Sequence, residues 1–486
     1  QISGERVVPR SIRFDALPIL PPGESLPVRV RHPHRRPDEQ ALLDALKSTT
    51  PALPVDAATP FTLDPTPASA GGKGSLDALA PTAGNGFEGI TQTGFIPSAP
   101  AVGAGPLNVF SCGNVTVTVT DKDGGGRTEV NGAGFFGVPV SEGDIFGPQC
   151  YFDALRGRFV ALCYTQGTLP GNFSFFYLAI SKTNDARGAW WLYRFDMTKD
   201  NATATTNWSE YQGLGLSDDK LVMSAQQLSF AADAYQYQKL RVLDRAQAYS
   251  GAVLSPVDIV NFAPPAGGDV NDNFVTKPAR NLTPGDNTVH CLCVRALSGA
   301  RVTYRSVTGP PSAPVLSPGN LIPVSAYSAP PDAEQQGSAI LVVTGDCRPT
   351  DFYVRNGVLT LAFHSAATIG GTNVSAIHLL RIRTSDRTLL TDEIYGQAST
   401  YYYYPAVIAD SVGTLFLGFD RSSATEFPSA YASGKRRGDA TLQPSALLKA
   451  GLTSTIQPRW GDYTGIDQDA SLFLPGQTVA WYAGQW

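Results

Sequence analysis

Between residues 150 and 196 the chain repeats one pattern: a short aromatic and β-branched run, then a turn of glycine, asparagine or aspartate. FVALCY (159–164) lies between Arg156-Gly157 and Gly167. FFYLAI (175–180) ends in Ser181-Lys182-Thr183-Asn184-Asp185, and WWLYRF (190–195) closes the unit. Such runs read as antiparallel strands, because bulky side chains suit a pleated surface and the turn residues tolerate reversal. An up-and-down sheet of about four strands in roughly 50 residues is one blade of a β-propeller.

The rest of the chain extends this reading. VTVTVT (115–120) alternates strictly and ends in Asp121-Lys122-Asp123-Gly124. Further strands are expected at 220–225, 238–245, 289–295, 300–306, 339–343, 358–364, 375–382, 401–409 and 415–419. At 486 residues the chain exceeds one ordinary core unless repetition builds it. Gly 48, Pro 37 and only 16% charged residues suit a turn-dense all-β protein. Blades of about 55 residues over 90–486 give seven, or six by a looser division. A strand from residues 87–109 would share a sheet with the C-terminal segment and close the ring. A net charge of −5 argues against a nucleic-acid partner, and no apolar run is long enough for a membrane helix.

Residues 1–86 form a different unit, an extended Pro-rich arm before the propeller at 87–486. One short helix is expected after Asp38, with Leu42, Leu43 and Leu46 on one face. Residues 1–37 carry seven arginines against three acids, a net of +4 that leaves −9 on the remainder. Arg10, Ile12, Arg13, Phe14, Val28, Arg29, Val30 and Arg31 alternate basic and apolar residues, as an added strand does. Such anchors are wasted in a free tail, so the arm is expected to dock on its own propeller or a neighbour's. Residues 68–86 read as a flexible joint.

The order Phe87-Glu88-Gly89, Tyr151-Phe152-Asp153, Leu243-Asp244-Arg245 and Arg459-Trp460-Gly461-Asp462-Tyr463-Thr464-Gly465 resembles a family of secreted propeller proteins of undefined activity. Asp467-Gln468-Asp469 resembles the Asp-box turn of sialidase-type propellers. The resemblance implies a fold and a compartment, and no reaction.

Several sites are candidates on residue type alone. The chain begins at Gln1, which is read as removal of a signal peptide; secretion, outside the cell or at its surface, is the expected localisation. Cys112, Cys150, Cys163, Cys291, Cys293 and Cys347 are then disulfide candidates. Asn114, Asn172, Asn201, Asn207, Asn281 and Asn373 head glycosylation sequons, so covalent N-glycans are expected. Asp269, Asn271 and Asn273 place oxygens at alternate positions, as half of a calcium loop does; an Asx-rich turn is the favoured alternative, and no other cofactor is expected. Arg459, Trp460, Asp462 and Tyr463 have the composition of a sugar-binding corner, and equally of a blade-closing turn. His364 and Tyr401 are the candidate pair for proton transfer. Arg381, Arg421, Arg459 and Glu426 are candidates for a sialidase-like site, although no spacing selects them. The leading expectation is a non-catalytic extracellular glycoprotein whose arm docks on a neighbouring subunit, giving a homo-oligomer or filament. The alternative is a secreted carbohydrate-active enzyme (sialidase-like hydrolase or polysaccharide lyase) or a lectin that takes polysaccharide at the propeller mouth.

Overall fold

The computed structural model describes residues 5–20, 29–30, 37–49, 61–64, 81–84, 86–91, 94–168, 171–471 and 478–486. Antiparallel four-strand runs follow one another along it. The first is Ala101–Ala104, Asn108–Gly113, Thr116–Asp121 and Thr128–Asn131. The second is Phe146–Asp153, Arg158–Gly167, Phe173–Ser181 and Ala189–Asp196. The third is Asn207–Leu216, Lys220–Ser229, Tyr235–Asp244 and Val257–Val260. The fourth is Thr276–Pro278, Val289–Val294, Ser298–Thr308 and Asn320–Ser328. The fifth is Phe352–Arg355, Val358–Ile369, Thr372–Arg383 and Leu389–Gly396. The sixth is Tyr401–Ala409, Leu415–Ser423, Glu426–Lys435 and Ala446–Lys449.

The apolar core lies in the seams between successive runs. Phe110 of the first run packs with Phe159 and Trp190 of the second. Leu162 and Leu178 meet Leu214 and Met223 across the next seam. Val222 and Leu240 meet Val289 and Cys291, Leu292 and Val302 meet Phe363 and Leu380, and Leu379 and Tyr395 meet Tyr402 and Phe419. Both faces of each sheet are therefore covered, which is why these strands read as near-continuous apolar runs. Sheets stacked face to face around an axis make a β-propeller.

Chain closure differs from expectation. The C-terminal strands Gly465–Gln468 and Ala480–Ala483 form a two-stranded sheet of their own rather than joining the first run. They still seat between the first and sixth runs. The contact is so close that a Cβ on Gly465 would lie 2.6 Å from the Val102 nitrogen. Seven complete blades are not present among the described residues: between the fourth and fifth runs stands only the short pair Ala333–Gln335 and Ser338–Val342.

The arm is docked on its own chain. Val7 bridges to Leu254, and Arg10–Arg13 adds antiparallel to the outer strand of the second run, Ile12 opposite Trp190. Phe14 is buried edge-on to Phe135 at 6.0 Å, and Ile19 bridges to Val130. Arg29–Val30 pairs in parallel with Phe95–Ile96. In the helix Pro37–Thr49, Leu43 is buried whereas Leu42 is exposed, and Lys47 pairs with Asp332. Phe61–Leu63 pairs in parallel with the outer strand of the fifth run. Next to it, buried Asp64 accepts from Tyr402 Oη (2.8 Å), the Ser445 amide (2.8 Å) and Arg421 (3.3 Å). Arg10 and Arg13 are exposed, Arg13 pairing with Asp15, so at this strand backbone pairing and apolar burial do the holding. Val28, Arg31 and most of the expected joint lie outside the described residues.

Asp64 joins the fifth and sixth runs by accepting from two buried donors, the Tyr402 hydroxyl and the Ser445 amide, beside the Arg421–Glu426 pair. Asp64→Ala is expected to lower stability by about 3 kcal/mol, since the buried Tyr402 hydroxyl and Ser445 amide lose their acceptor. Thermal unfolding checks this, with Asp15→Ala, at a solvent-exposed pair, leaving the midpoint unchanged.

Candidate active site

The inner strands of several runs are distorted at one end of the axis. Ala99, Gly147, Tyr211 and Tyr404 all have positive φ (46°, 52°, 55° and 50°). The ladder shifts register between Leu162 and Tyr164, between Glu210 and Gly213, and between Tyr403 and Ala406. An extra residue in an edge strand re-aims the side chains beside it. For residues with a Cβ the left-handed conformation is strained, and it persists only where surroundings over-determine it. Here they do. The His364 Nδ1 accepts the Tyr404 amide (2.9 Å), and Thr464 Oγ1 donates to the Tyr404 carbonyl (2.7 Å). Asn114 donates to the Pro97 carbonyl (2.7 Å) and accepts the Gly147 amide (2.8 Å).

These bends enclose an axial cleft of about 370 Å³, its open mouth included, lined by Glu210, Asp462, Tyr164, Tyr211 and Tyr463 together with Pro97, Ala99, Asn114, Phe146 and Gly147. The rings of Tyr211 and Tyr463 lie 6.0 Å apart. Asp462 is half-buried and pairs with Arg459, whose other nitrogen donates to the Gly461 carbonyl (3.0 Å). Burial holds the Tyr463 phenol protonated, with Tyr211, Tyr164, Asp462 and Glu210 close enough to add to the effect. Two carboxyls from distant parts of the sequence thus face one tyrosine-lined space, which suits polyhydroxylated ligands and acid–base chemistry.

Behind the tyrosines lies a second layer that does not line the cleft. Lys277, from the inner strand of the fourth run, has its ammonium 5.0 Å from the Tyr463 ring centre and 5.7 Å from that of Tyr211. Arg348 stacks 3.5 Å over Tyr211 and is bonded to Asp346 through Nε (2.8 Å) and Nη2 (2.6 Å). Burial, reinforced by the neighbouring Arg348, pushes the Lys277 ammonium down to about 7, against the pull of Asp351, Asp462 and Asp346.

The residues expected from sequence divide sharply. Asp462 and Tyr463 reach the cleft. Trp460 instead packs near Tyr403 and donates to Asp420 (2.9 Å). His364 is a structural acceptor rather than a proton carrier, because burial pushes its imidazole down to about 4. Tyr401 sits opposite Ser422, three residues before the Tyr404 bend, so it does not form the expected pair with His364. Arg421 and Glu426 pair with each other beside Asp64 (3.0 Å). Asp269 caps the turn Val270–Asp272 and pairs with Arg295 (2.9 Å), while Asn273 is bonded to Phe262 and Arg305. The Asx-rich turn is what forms.

Asn114, Asn207 and Asn281 are buried with their amides bonded internally, so the folded chain has no room for glycans there. Asn172 is exposed, and Asn201 and Asn373 are half-buried. All six cysteines are buried thiols in this structure. Sequence reasoning missed Glu210, Tyr211, Tyr164, Lys277 and Arg348. Their one local signal is the glycine pair after Tyr211, where a Cβ on Gly213 would lie 3.2 Å from the Lys277 stem.

No protein-family model and no curated protein matches the chain. Solved structures similar to it include a GH43 endo-arabinanase from Bacillus licheniformis, 14% identical, covering 60% of this chain and 96% of that one, with a TM-score of 0.30. An α-L-arabinanase from Cellvibrio cellulosa is 13% identical over 62% of this chain and 95% of its own, TM-score 0.30. A PL25 ulvan lyase is 6% identical over 64% and 71%, TM-score 0.31. The leading expectation of a non-catalytic filament subunit is corrected here. The arm that was to link neighbours supplies strands to sheets of its own chain.

Lys277 gives a stability test with a defined sign. Its folded pKa lies below its unfolded one, so burial costs stability in full below about pH 7 and the cost fades as pH rises toward 10. Lys277→Met is therefore expected to stabilise the protein at pH 6–7, on the order of 3 kcal/mol. The gain should shrink steadily in unfolding curves taken up to pH 10.

Proposed function

We propose that this chain is a secreted carbohydrate-active enzyme that works at the axial cleft and hydrolyses a glycosidic bond. The observation that carries this reading is the convergence of Glu210 and Asp462 on one cleft walled by Tyr164, Tyr211 and Tyr463. Two carboxyls flanking a sugar supply the proton for the departing oxygen and the anion that meets the oxocarbenium-like transition state. Asp462, bonded to Arg459, serves as the anion, and Glu210 supplies the proton. The tyrosines give flat apolar walls for the ring and phenolic hydroxyls for its oxygens.

The same reading assigns six blades closed by the C-terminal hairpin, with the arm strapped around one monomer, and Asn172 as the sequon open to a glycan. Turnover should be sought with a panel of aryl glycosides and of natural oligosaccharides, comparing the wild type with Glu210→Gln and Asp462→Asn. Each variant is expected to lose at least 100-fold in kcat/KM; Glu210→Gln should keep its thermal midpoint, whereas Asp462→Asn should lower it by leaving the buried Arg459 without its carboxylate. Ligand binding without turnover in the wild type would make the cleft a lectin site. Turnover unaffected by either substitution would remove the cleft from the reaction.

A further inference from the structure

We propose that Lys277 is a positioning residue of the axial cleft: sealed behind Tyr211 and Tyr463 beside Arg348, its ammonium sets how strongly those two phenols donate, and its proton makes that setting depend on pH. The proposal rests on the reading of the cleft as the active site, and deepens it.

The geometry points to this role in three ways. Lys277 faces the two rings at 5.0 and 5.7 Å, and Arg348 covers Tyr211 at 3.5 Å, yet neither cation lines the cleft. Both tyrosines do line it, so each ring stands between positive charge and any ligand. A cation on one face of a phenol draws electron density from the ring, which weakens the other face as a stacking surface and strengthens the hydroxyl as a donor.

Secondly, Lys277 has little else to do. Its recorded hydrogen bond is a long one, 3.5 Å to the Thr350 carbonyl. Arg348, by contrast, is fully engaged by Asp346. A buried ammonium resting mainly on rings and one carbonyl costs stability, and packing alone would be served better by an apolar side chain.

Thirdly, the groups around Lys277 leave its proton finely balanced. Arg348 repels it from the segment before the fifth run, which also brings Asp346 and Asp351. Asp462 draws it from the C-terminal segment, and Tyr211 and Tyr463 face it from the third run and that same segment. Gly213 leaves space for its stem. Proton loss near neutrality would remove one of the two positive charges from behind the tyrosines while Arg348 keeps the other. The phenols then become weaker donors, so a ligand oxygen held by them binds more tightly on the acid side.

The test reads the tyrosines directly and needs no substrate. With 13Cζ-labelled tyrosine in the full chain, the Tyr211 and Tyr463 resonances, assigned with Tyr211→Phe and Tyr463→Phe, are followed from pH 5 to 9. The wild type is expected to show one shared inflection near neutrality. Lys277→Met should abolish it and leave both resonances at their high-pH positions, whereas Lys277→Arg should hold them at the low-pH positions throughout. Flat resonances in the wild type, or an unchanged inflection in Lys277→Met, would overturn the proposal. Should Lys277→Arg fail to fold, the wild type and Lys277→Met decide it alone. If a substrate is found, kcat/KM should lose its neutral inflection in Lys277→Met. An NMR inflection with no turnover on any glycan would sink the enzymatic reading and leave the coupling between Lys277 and the tyrosines standing.

Discussion

One carboxylate at the axis holds the ring shut. Asp467 accepts the backbone amides of Ala104 (3.0 Å) and Phe152 (2.7 Å) and the Arg280 guanidinium (3.1 Å). It thereby ties the C-terminal hairpin to the first and second runs and to the short strand Arg280–Asn281, which bridges the third and fifth. Arg280 in turn reaches Asp351 (2.8 Å) ahead of the fifth. Burial pushes the Asp467 carboxyl up to about 6, against the pull of Arg280 and the amides. A stacked ring of sheets has no internal hydrogen bond from last blade to first unless a strand or side chain supplies it. In this chain the Asp467 carboxylate supplies it together with a backbone bond from the Ala470 amide to the Ala104 carbonyl (3.2 Å), while the hairpin strands pair only with each other. The Asp-rich turn that resembles an Asp-box therefore works as a clasp.

The clasp and the cleft are consequences of the same convergence. Inner strands that approach an axis run out of room for regular pleating, and a bulge both relieves the crowding and turns a side chain inward. Tyr211 and Tyr404 sit on such bulges, and Gly147 marks another. His364 and Asn114, which residue type alone nominates for chemistry and for a glycan, turn out to be the groups that hold the bent backbone in place. Buried polar side chains near a propeller axis are thus divided between shaping the cleft and lining it. Only the coordinates tell the two apart.

That division explains how far the sequence could be read. Strands such as 159–164 and 175–180 were legible because both their faces are buried in seams, so composition alone marks them. Phe14 and Ile12 were legible as anchors for the same reason, since a docked strand must hide its apolar side. Whether docking was in cis depended on where the second run's outer strand lay, which is a long-range fact. Glu210 and Lys277 were illegible because each reads as an ordinary strand residue until the ring closes and places it beside residues more than fifty positions away. The Arg459–Gly465 motif was half legible: its composition marked a site, but Trp460 and Asp462 face different neighbours, and only Asp462 meets the cleft.

The arm follows from the geometry of the sheets. Each blade ends in an outer strand with an open edge, and open edges invite pairing with other chains. Arg10–Arg13 and Phe61–Leu63 cover two such edges, on the second and fifth runs, in opposite orientations. Between these two additions in the sequence, Arg29–Val30 pairs with Phe95–Ile96. The Phe95 ring then lies 5.7 Å from Phe146, which lines the cleft, and Phe146 lies 5.9 Å from Tyr164. A segment first needed to protect sheet edges in this way also backs the strand that stands behind the wall of the cleft.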